Sequence, residues 1–240
     1  MRVPAILEEK SYGGEPLGGE AGMKIRWYGH AAFRLTTAGN INIIIDPYEP
    51  GGFGGAISYG PITDRADIVL VTHGHADHNH TAGIQGTFRE VREEGTYDIG
   101  GVRIRAIPTF HDLSSGRERG KNLVFLVEAD GLRVVHLGDL GHPLDRETVE
   151  ALGKADVLML PVGGFYTMDA AAATGVMNDI KPAYTIPMHF KTEKVEFPIA
   201  GVGEFTKGKK GVRTVGGPDL EVTKEHLPAE PEIVLLGFAS

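Results

Sequence analysis

Short apolar runs, rich in β-branched and aromatic residues, recur along the chain from residue 23 onward, and turns containing glycine, asparagine or aspartate separate them. Runs of this length and composition are typical of strands, and those without alternation of polar residues indicate strands that are buried on both faces. We predict strands at 23–28, 32–37, 41–46, 68–72, 102–108, 123–128, 132–137, 157–161, 184–188 and 233–236. The dipeptide Asp130-Gly131 predicts a tight turn between two of them.

Two segments, 146–152 and 169–180, have the composition and the end signals of helices. Thr167 or Asp169 is expected to cap the second helix, because both side chains can accept a hydrogen bond from the first turn. Buried strands with a few helices between them indicate sheets covered by helices. We therefore predict a layered α/β domain.

The first 22 residues differ in pattern from the rest of the chain. Residues 11–22 are rich in glycine, glutamate and proline and show no apolar periodicity, so we predict that 1–22 form a flexible N-terminal extension. Residues 23–240 contain no segment that resembles a linker. A single domain can reach this size, and we predict one domain there.

Composition narrows the function classes. The formal net charge of -8 argues against general affinity for nucleic-acid backbone and against a polybasic membrane anchor. The absence of cysteine excludes disulfides, cysteine-ligated zinc and a thiol nucleophile. No apolar run approaches the roughly 20 residues of a membrane span. We expect a cytoplasmic protein that acts on a small molecule, without nucleic-acid or membrane partners; assembly into a homo-oligomer is left open.

The segment from Val71 to His80 carries the strongest chemical signal, because it contains His73, His75, Asp77 and His78 directly after a predicted strand. Two histidines that are two residues apart at a strand end can point the same way and bind one metal ion. The aspartate and histidine that follow can offer an oxygen and a nitrogen to a second metal ion. The segment therefore predicts part of a two-metal site.

Further residues of the ligand types follow three other predicted strands. His111 comes after the strand at 102–108, Asp139 after the strand at 132–137, and His189 after the strand at 184–188. Strand ends place loop side chains on a rigid scaffold, and active sites are commonly built there. Together with the first cluster, these residues predict two complete ligand sets.

The chain resembles the metallo-β-lactamase superfamily in these motifs. Five further segments carry the resemblance: Trp27-Tyr28-Gly29-His30, Ile45-Asp46-Pro47, His136-Leu137-Gly138-Asp139, Gly163-Gly164-Phe165-Tyr166-Thr167-Met168-Asp169 and Pro187-Met188-His189. More narrowly, they resemble the branch of metal-dependent hydrolases that includes the ascorbate-6-phosphate lactonase-like proteins. The resemblance covers about residues 23–240 and implies a four-layer αβ/βα sandwich with two metal ions between its sheets.

The resemblance also implies a role for each ligand. The first metal ion would be held by three histidines: His73, His75 and His111. The second would be held by Asp77, His78 and His189. Asp139 would bridge the two ions, and Asp46 would support the histidine loop from behind. We take Asp77, Asp139 and His30 as candidate catalytic residues; the alternative for His30 is a core histidine bonded to backbone.

Two adjacent divalent metal ions lower the pKa of a shared water, so that a metal-bound hydroxide can attack at neutral pH. We therefore predict a metal-dependent hydrolase of a small ester, lactone or phosphodiester. Zinc suits a shell of histidine and aspartate best, with manganese, iron or nickel as alternatives. A nuclease of the same superfamily, and a diiron redox or non-catalytic metal-binding protein, are the alternative functions. His75 occupies the position where the flavodiiron oxidoreductases carry glutamate, which favours hydrolysis.

Several neighbouring residues have open roles. His80 and His136 are expected to be structural or to support ligands, whereas Asp112 and His142 lie beside ligands in sequence and are candidates for substrate contact. Specificity is expected to reside in loops 47–62 and 112–122. The first contains a glycine-rich stretch with Phe53 and Tyr59 that is a candidate flap. The second contains three basic residues that are either solvated or face an anionic substrate: Arg117, Arg119 and Lys121.

Overall fold

The structure, a computed structural model, describes residues 22–239. Its strands and helices follow one another in this order: β1 (Gly22–Gly29), β2 (Ala32–Thr36), β3 (Asn42–Ile45), β4 (Ile68–Leu70), β5 (Arg89–Val91), β6 (Gly95–Ile99), β7 (Val102–Phe110), β8 (Lys121–Ala129), β9 (Leu132–His136), α1 (Arg146–Leu152), β10 (Val157–Pro161), α2 (Ala170–Ile180), β11 (Tyr184–Met188), α3 (Val202–Thr206), β12 (Val212–Thr214), β13 (Asp219–Thr223) and β14 (Glu232–Leu235).

The first sheet contains six strands in the order β13-β1-β2-β3-β4-β5. Its apolar side chains alternate between two buried faces: Ile43 and Ile45 of β3 face the second sheet's core, and Ile44 packs in a separate cluster. That second cluster includes Tyr48 and Tyr59, which come from the long loop between β3 and β4. Among the residues that the structure describes, loop residues rather than an α-helix therefore cover the outer face of this sheet.

The second sheet contains eight strands in the order β12-β14-β11-β10-β9-β8-β7-β6. From β12 to β9 all neighbours are parallel, and from β9 to β6 they are antiparallel. Every residue of β10 is buried, as expected for a central parallel strand with both faces covered. Helix α2 contributes Ala173, Val176 and Ile180 to the same core.

The predicted α/β class is confirmed, with two large sheets and few helices. Helix 146–152 and the strands at 157–161 and 184–188 have the predicted bounds. Asp169, not Thr167, caps α2, because its carboxylate accepts from the backbone N–H groups of Ala171 and Ala172. Asp130 and Gly131 both have positive φ, the backbone of a tight hairpin turn.

Five elements were not predicted: β5, β6, α3, β12 and β13. They have three to five residues each, and none of them has the continuous apolar run on which the strand predictions relied; the alternation of β13 extends over only two buried positions. The predicted extension at 1–22 lies outside the described residues except for Gly22, which begins β1. The longest helix described, α2, has 11 residues, and none of the described helices has the length and apolar character of a membrane span.

Candidate metal centre

The predicted ligand residues lie in loops that directly follow strands of both sheets. The loop after β4 carries His73 to His78, and the residues after β7, β9 and β11 are His111, Asp139 and His189 respectively. Because β9 and β11 run in the same direction on either side of β10, their carboxyl ends meet at one edge of the second sheet. The fold therefore brings together side chains that are more than 100 residues apart in sequence.

His73, His75 and His111 form the first group. Their candidate ligand atoms all lie within 4.8 Å of one another. The ring of His73 lies 4.6 Å from that of His75 and 4.9 Å from that of His111, measured between centroids. His75 is exposed to solvent while His111 is buried, so this group opens outward. This is the set predicted for the first metal ion.

The second group contains His30, Asp77, His78 and His189, whose candidate ligand atoms also lie within 4.8 Å of one another. All four residues are buried. Three of them form the set predicted for the second metal ion. His30 is the additional member.

Asp139 lies between the two groups. Its Oδ2 is 3.1 Å from Nε2 of His111 in the first group and 3.3 Å from Nε2 of His189 in the second. Its Oδ1 is 3.2 Å from Nε2 of His78. One carboxylate thus faces imidazole nitrogens from both groups, which is the position that a bridging ligand requires.

His30 is completely buried and does not line the open cavity. Its Nε2 lies 3.0 Å from Oδ2 of Asp77, and its ring centroid is 4.0 Å from that of His189. Its backbone carbonyl accepts hydrogen bonds from the Trp27 indole and the His189 backbone N–H. The geometry therefore favours a residue that positions Asp77 and His189 over one that contacts substrate.

Asp46 supports the histidine loop as the resemblance implied. Its Oδ1 accepts from the Thr72 backbone N–H at 2.8 Å, and its Oδ2 accepts from the Thr72 hydroxyl at 2.7 Å. The same Oδ2 accepts from Nδ1 of His78 at 2.8 Å. This contact leaves Nε2 of His78 free to face the centre, since the tautomer of a ligating imidazole is set by the bond that its other nitrogen makes.

The histidines of the centre differ in the direction in which their pKa values are shifted. Burial lowers the pKa of His73 to about 3, with the nearby His78 adding to the effect, and burial together with His189 lowers the pKa of His30 to about 4. Burial would also lower the pKa of His78, but the carboxylates of Asp139, Asp77 and Asp46 outweigh it and raise this pKa well above its ordinary value. The cluster of carboxylates thus attracts positive charge.

The donor atoms fit divalent metal ions. Buried atoms without a hydrogen-bond partner in the described structure include Nε2 of His73 and His78 and one oxygen each of Asp77 and Asp139. Burial opposes ionisation of Asp139, yet His189 and His78 hold its pKa well below the ordinary value. Neutral imidazole and ionised carboxylate are the states that bind metal, so His78, whose pKa the carboxylates raise, would release a proton when an ion binds. Unpaired buried polar atoms are costly, and a bound cation would satisfy them.

Asn122, which the sequence analysis did not single out, fixes the loop that carries Asp139. Its Oδ1 accepts from the Asp139 backbone N–H at 2.9 Å, and its Nδ2 donates to the Leu137 carbonyl and the Thr109 hydroxyl. Gly138 permits this close approach, because an added Cβ would lie 2.3 Å from Asn122 Oδ1. The available signal was a lone buried asparagine at the start of the apolar run of β8.

Asp112 organises its own loop. Its carboxylate accepts from four backbone N–H groups, those of Ser114, Gly116, Glu118 and Arg119. Although desolvation opposes the shift, these donors hold the pKa of Asp112 to about 2. The hydrogen bonds within the loop therefore account for an aspartate at position 112 without any contact to substrate.

Two of the three remaining histidines near the centre make side-chain hydrogen bonds to backbone. His136 is buried, and its Nε2 donates to the Ala31 carbonyl at 2.9 Å. His142 Nε2 accepts from the Phe110 backbone N–H at 3.2 Å. His80 precedes a short 3-10 turn but makes no side-chain cap hydrogen bond there. These bonds favour the structural interpretation of His136, and His142 makes the same kind of contact.

A cavity of about 230 Å³ opens onto the centre. It is lined by Phe53, His75, Asp77, His111, Glu118, Arg119, Asp139, Tyr166, His189 and Phe197. The candidate flap contributes Phe53 to this wall, whereas Tyr59 lies in the core, where its hydroxyl pairs with that of Thr192 at 2.7 Å. Phe197, which no local pattern indicated, completes the aromatic side.

Comparison with known proteins places these features in a family. A family model described as "Beta-lactamase superfamily domain" matches residues 24–189. A metal-dependent hydrolase from Archaeoglobus fulgidus is 33% identical over 206 residues, 74% of this chain and 85% of that protein. One from Thermoplasma acidophilum is 32% identical over 193 residues, 71% of this chain and 84% of that protein.

A solved structure from Thermotoga maritima matches with a TM-score of 0.76 and 36% identity, and the match covers 90% of this chain and 100% of that one. That protein is described as a candidate zinc-dependent hydrolase of the metallo-β-lactamase superfamily.

Proposed function

The chain belongs to the metallo-β-lactamase superfamily as a metal-dependent hydrolase, and we propose that it uses two divalent metal ions, zinc in the first place, to hydrolyse a small ester, lactone or phosphodiester. The observation that carries the proposal is the place of Asp139, with one carboxylate against histidines of both groups. A single-metal site would not need a carboxylate in this position.

Three ligands belong to each ion in this proposal. His73, His75 and His111 would hold the ion nearer to solvent, while Asp77, His78 and His189 would hold the buried one. Metal ions bound here would lower the pKa of a coordinated water and polarise the carbonyl or phosphoryl oxygen of the substrate. A shell of histidine and carboxylate without sulfur suits zinc, and zinc also appears in the description of the Thermotoga maritima protein.

The chain's own residues orient this chemistry. Asp46 holds the tautomer of His78, His30 holds Asp77, and Asn122 holds the backbone of Asp139, so the ligands are fixed before substrate arrives. Asp139 lies at the cavity wall, where its carboxylate can orient a nucleophilic water through a hydrogen bond.

The cavity favours a small substrate over a polymer. Its volume of about 230 Å³ is below the roughly 300–1,000 Å³ of sites for drug-sized ligands. The nuclease alternative requires a basic path to the metals. The non-ligand charges of this cavity are one arginine and one glutamate, Arg119 and Glu118. A second cleft of about 510 Å³ against His73 and His75 has three basic and two acidic side chains, so it does not form a continuous basic path. The size of the first cavity is what favours a small molecule.

Metal content per chain, measured by mass spectrometry on protein purified without chelators or a metal-affinity tag, tests the proposal. We expect about two zinc or manganese ions per chain. The loaded protein should then hydrolyse a member of a panel of lactones, aryl esters and phosphodiesters, and a chelator should abolish that activity. Iron as the main metal would support the redox alternative, and a chain that stays empty after reconstitution would contradict the two-metal mechanism.

A further inference from the structure

Arg119 lies in the wall of the cavity with no role in the metal centre itself. We propose that its guanidinium binds an anionic group, a carboxylate or phosphate, at the end of the substrate remote from the scissile bond. The inference rests on the proposed function and narrows the substrate class to a small anionic ester, lactone or phosphodiester with an apolar body.

Hydrogen bonds within its loop fix the position of Arg119. The Arg119 backbone N–H donates to the Asp112 carboxylate at 2.8 Å, within the set of four bonds that orders 112–119. Asp112 directly follows the candidate ligand His111, so the loop is fixed at the edge of the metal centre. The guanidinium lies over the Tyr166 ring, 5.9 Å from its centroid, in a geometry that holds a cation on an aromatic face.

The charge of Arg119 is poorly satisfied within the described chain. Its recorded carboxylate partner is Glu118 at 3.7 Å, and the Glu118 side chain is 61% exposed. The other oxygen of Glu118 accepts from the Ser114 hydroxyl at 2.5 Å. By contrast, Arg26 makes two bonds of 2.7 Å to the carboxylate of Asp219. Arg119 is therefore available for a bidentate bond to an oxyanion.

The carboxylates of the metal centre do not neutralise the charge of Arg119. Asp77 and Asp139 face the clustered histidines, and bound metal ions would neutralise them further. Two divalent ions would carry more positive charge than Asp77 and Asp139 neutralise, and Glu118 in the same wall offsets only one unit, so the cavity would attract a negatively charged substrate.

Aromatic rings line the cavity around Arg119. Phe197 contacts Phe53 and Tyr166 in edge-on geometry, with centroids 5.4 and 5.6 Å apart respectively. Such a wall buries apolar surface and offers no hydrogen-bond acceptor apart from the Tyr166 hydroxyl. The substrate that fits this cavity has a hydrolysable group at the metals, an apolar middle against the rings and an anion at Arg119.

Equilibrium binding of two-ended probes tests the assignment. Succinate, glutarate and adipate, each compared with the monocarboxylate of the same chain length, are titrated by calorimetry into metal-loaded protein. One carboxylate is free to occupy the metals, and the second reaches Arg119 only at a matching length. We expect the best dicarboxylate to bind roughly 10- to 100-fold more tightly than its monocarboxylate, the range for a charged hydrogen bond. 3-Phosphonopropionate distinguishes a phosphate-like from a carboxylate end group.

The Arg119→Gln variant should remove this preference, and Arg119→Lys should retain part of it, because lysine keeps the charge but loses the bidentate fork. Arg117→Gln is the matched control, since Arg117 is exposed in the same loop and bonds the Ser114 carbonyl. An unchanged preference in Arg119→Gln, or no preference in the natural protein, overturns the assignment. Metal content and turnover report on the proposed function separately, so the two proposals fail by different measurements.

Discussion

The buried floor of the metal centre and its solvent-facing mouth differ in how their side chains are held. In the floor, formed by Asp46, Thr72, His78, Asn122 and Asp139, each side chain makes polar contacts that are fixed from two or more directions. In the mouth, formed by Phe53, Arg119, Tyr166 and Phe197, the rings meet edge to face and the Arg119 guanidinium lies over the Tyr166 ring, while Phe53 is 54% exposed.

This difference separates the requirements of the reaction from those of recognition. Metal ligands must keep one geometry, and a low-dielectric, hydrogen-bonded floor enforces it. Apolar ring contacts tolerate replacement, because they depend on area and shape rather than on bond direction. Changes in the floor should therefore affect metal binding, while changes in the mouth should affect substrate selection with the metals retained.

Asp139→Asn should produce the largest effect. The amide keeps the size of the side chain but removes the negative charge that faces His111 and His189. We expect the bound metal to fall from about two ions to one or fewer, and turnover to fall by roughly 1,000-fold or more, since in the proposed mechanism this carboxylate contacts both ions and orients the water. Metal analysis and steady-state kinetics on the same preparation measure both. Full metal content with full turnover would show that Asp139 does not bridge.

Asp46→Asn should have the next largest effect, although Asp46 does not face the cavity. The amide cannot accept from both the Thr72 hydroxyl and Nδ1 of His78 at the position of Oδ2 if its nitrogen lies there. We expect metal affinity to fall roughly 10- to 100-fold, the usual effect of losing a carboxylate behind a ligating histidine. Competition with a fluorescent chelator measures the affinity.

Asp112→Asn is the matched control for this change. The Asp112 carboxylate is also buried and next to a candidate ligand, but it accepts from backbone N–H groups of its own loop. The Asp112→Asn substitution should lower the free energy of unfolding while leaving metal affinity within a few-fold of that of the natural protein. Equal losses of affinity in both variants would remove the distinction between support of His78 and general destabilisation.

Gly138→Ala should weaken the floor through crowding and backbone strain, without removing a candidate ligand. The added methyl would lie 2.3 Å from Asn122 Oδ1 and 2.8 Å from Thr72 Cβ, and the residue has φ +55°. We expect a loss of about 1–3 kcal/mol in the free energy of unfolding, typical of overpacking in a well-packed interior. Gly74→Ala is the control, because nothing lies within 4 Å of a Cβ there. Thermal unfolding of the metal-free proteins should separate the two variants, and similar losses would contradict the packing argument.

The floor and the mouth also differ in how far the sequence predicts them. The floor residue Asp139 and the neighbouring ligand candidate His73 each come three residues after the end of an apolar strand, so local pattern and ligand chemistry identify them together. Asn122 lacks such a signal, because its importance arises from the approach of Gly138 across the sheet. Phe197 enters the cavity from a loop whose path depends on tertiary packing.

The backbone conformation of three residues in the centre also depends on tertiary contacts rather than on local sequence pattern. His30, Asp46 and His189 all have φ near +50°, a conformation that residues with a Cβ rarely adopt. Tertiary contacts select it, for example the bond from the His189 backbone N–H to the His30 carbonyl. Periodicity could not predict this, just as it missed the three-residue strands β5 and β12, whose place in a sheet depends on their neighbours.

Phe53→Ala should have the smallest effect and gives the sharpest test of the mouth. The ring is more than half exposed and contacts Phe197, so its removal loses apolar contact with substrate without disturbing any floor hydrogen bond. We expect metal content and the free energy of unfolding to stay unchanged, kcat to stay within about twofold, and KM to rise by a few-fold for substrates with an apolar body. Steady-state kinetics on an apolar and a short-chain substrate of the same reacting group measure the difference, and the short-chain substrate should be nearly unaffected. A loss of metal in this variant would mean that the mouth supports the ligands as well, and the division between floor and mouth would then fail at the residue where it is expected to be clearest.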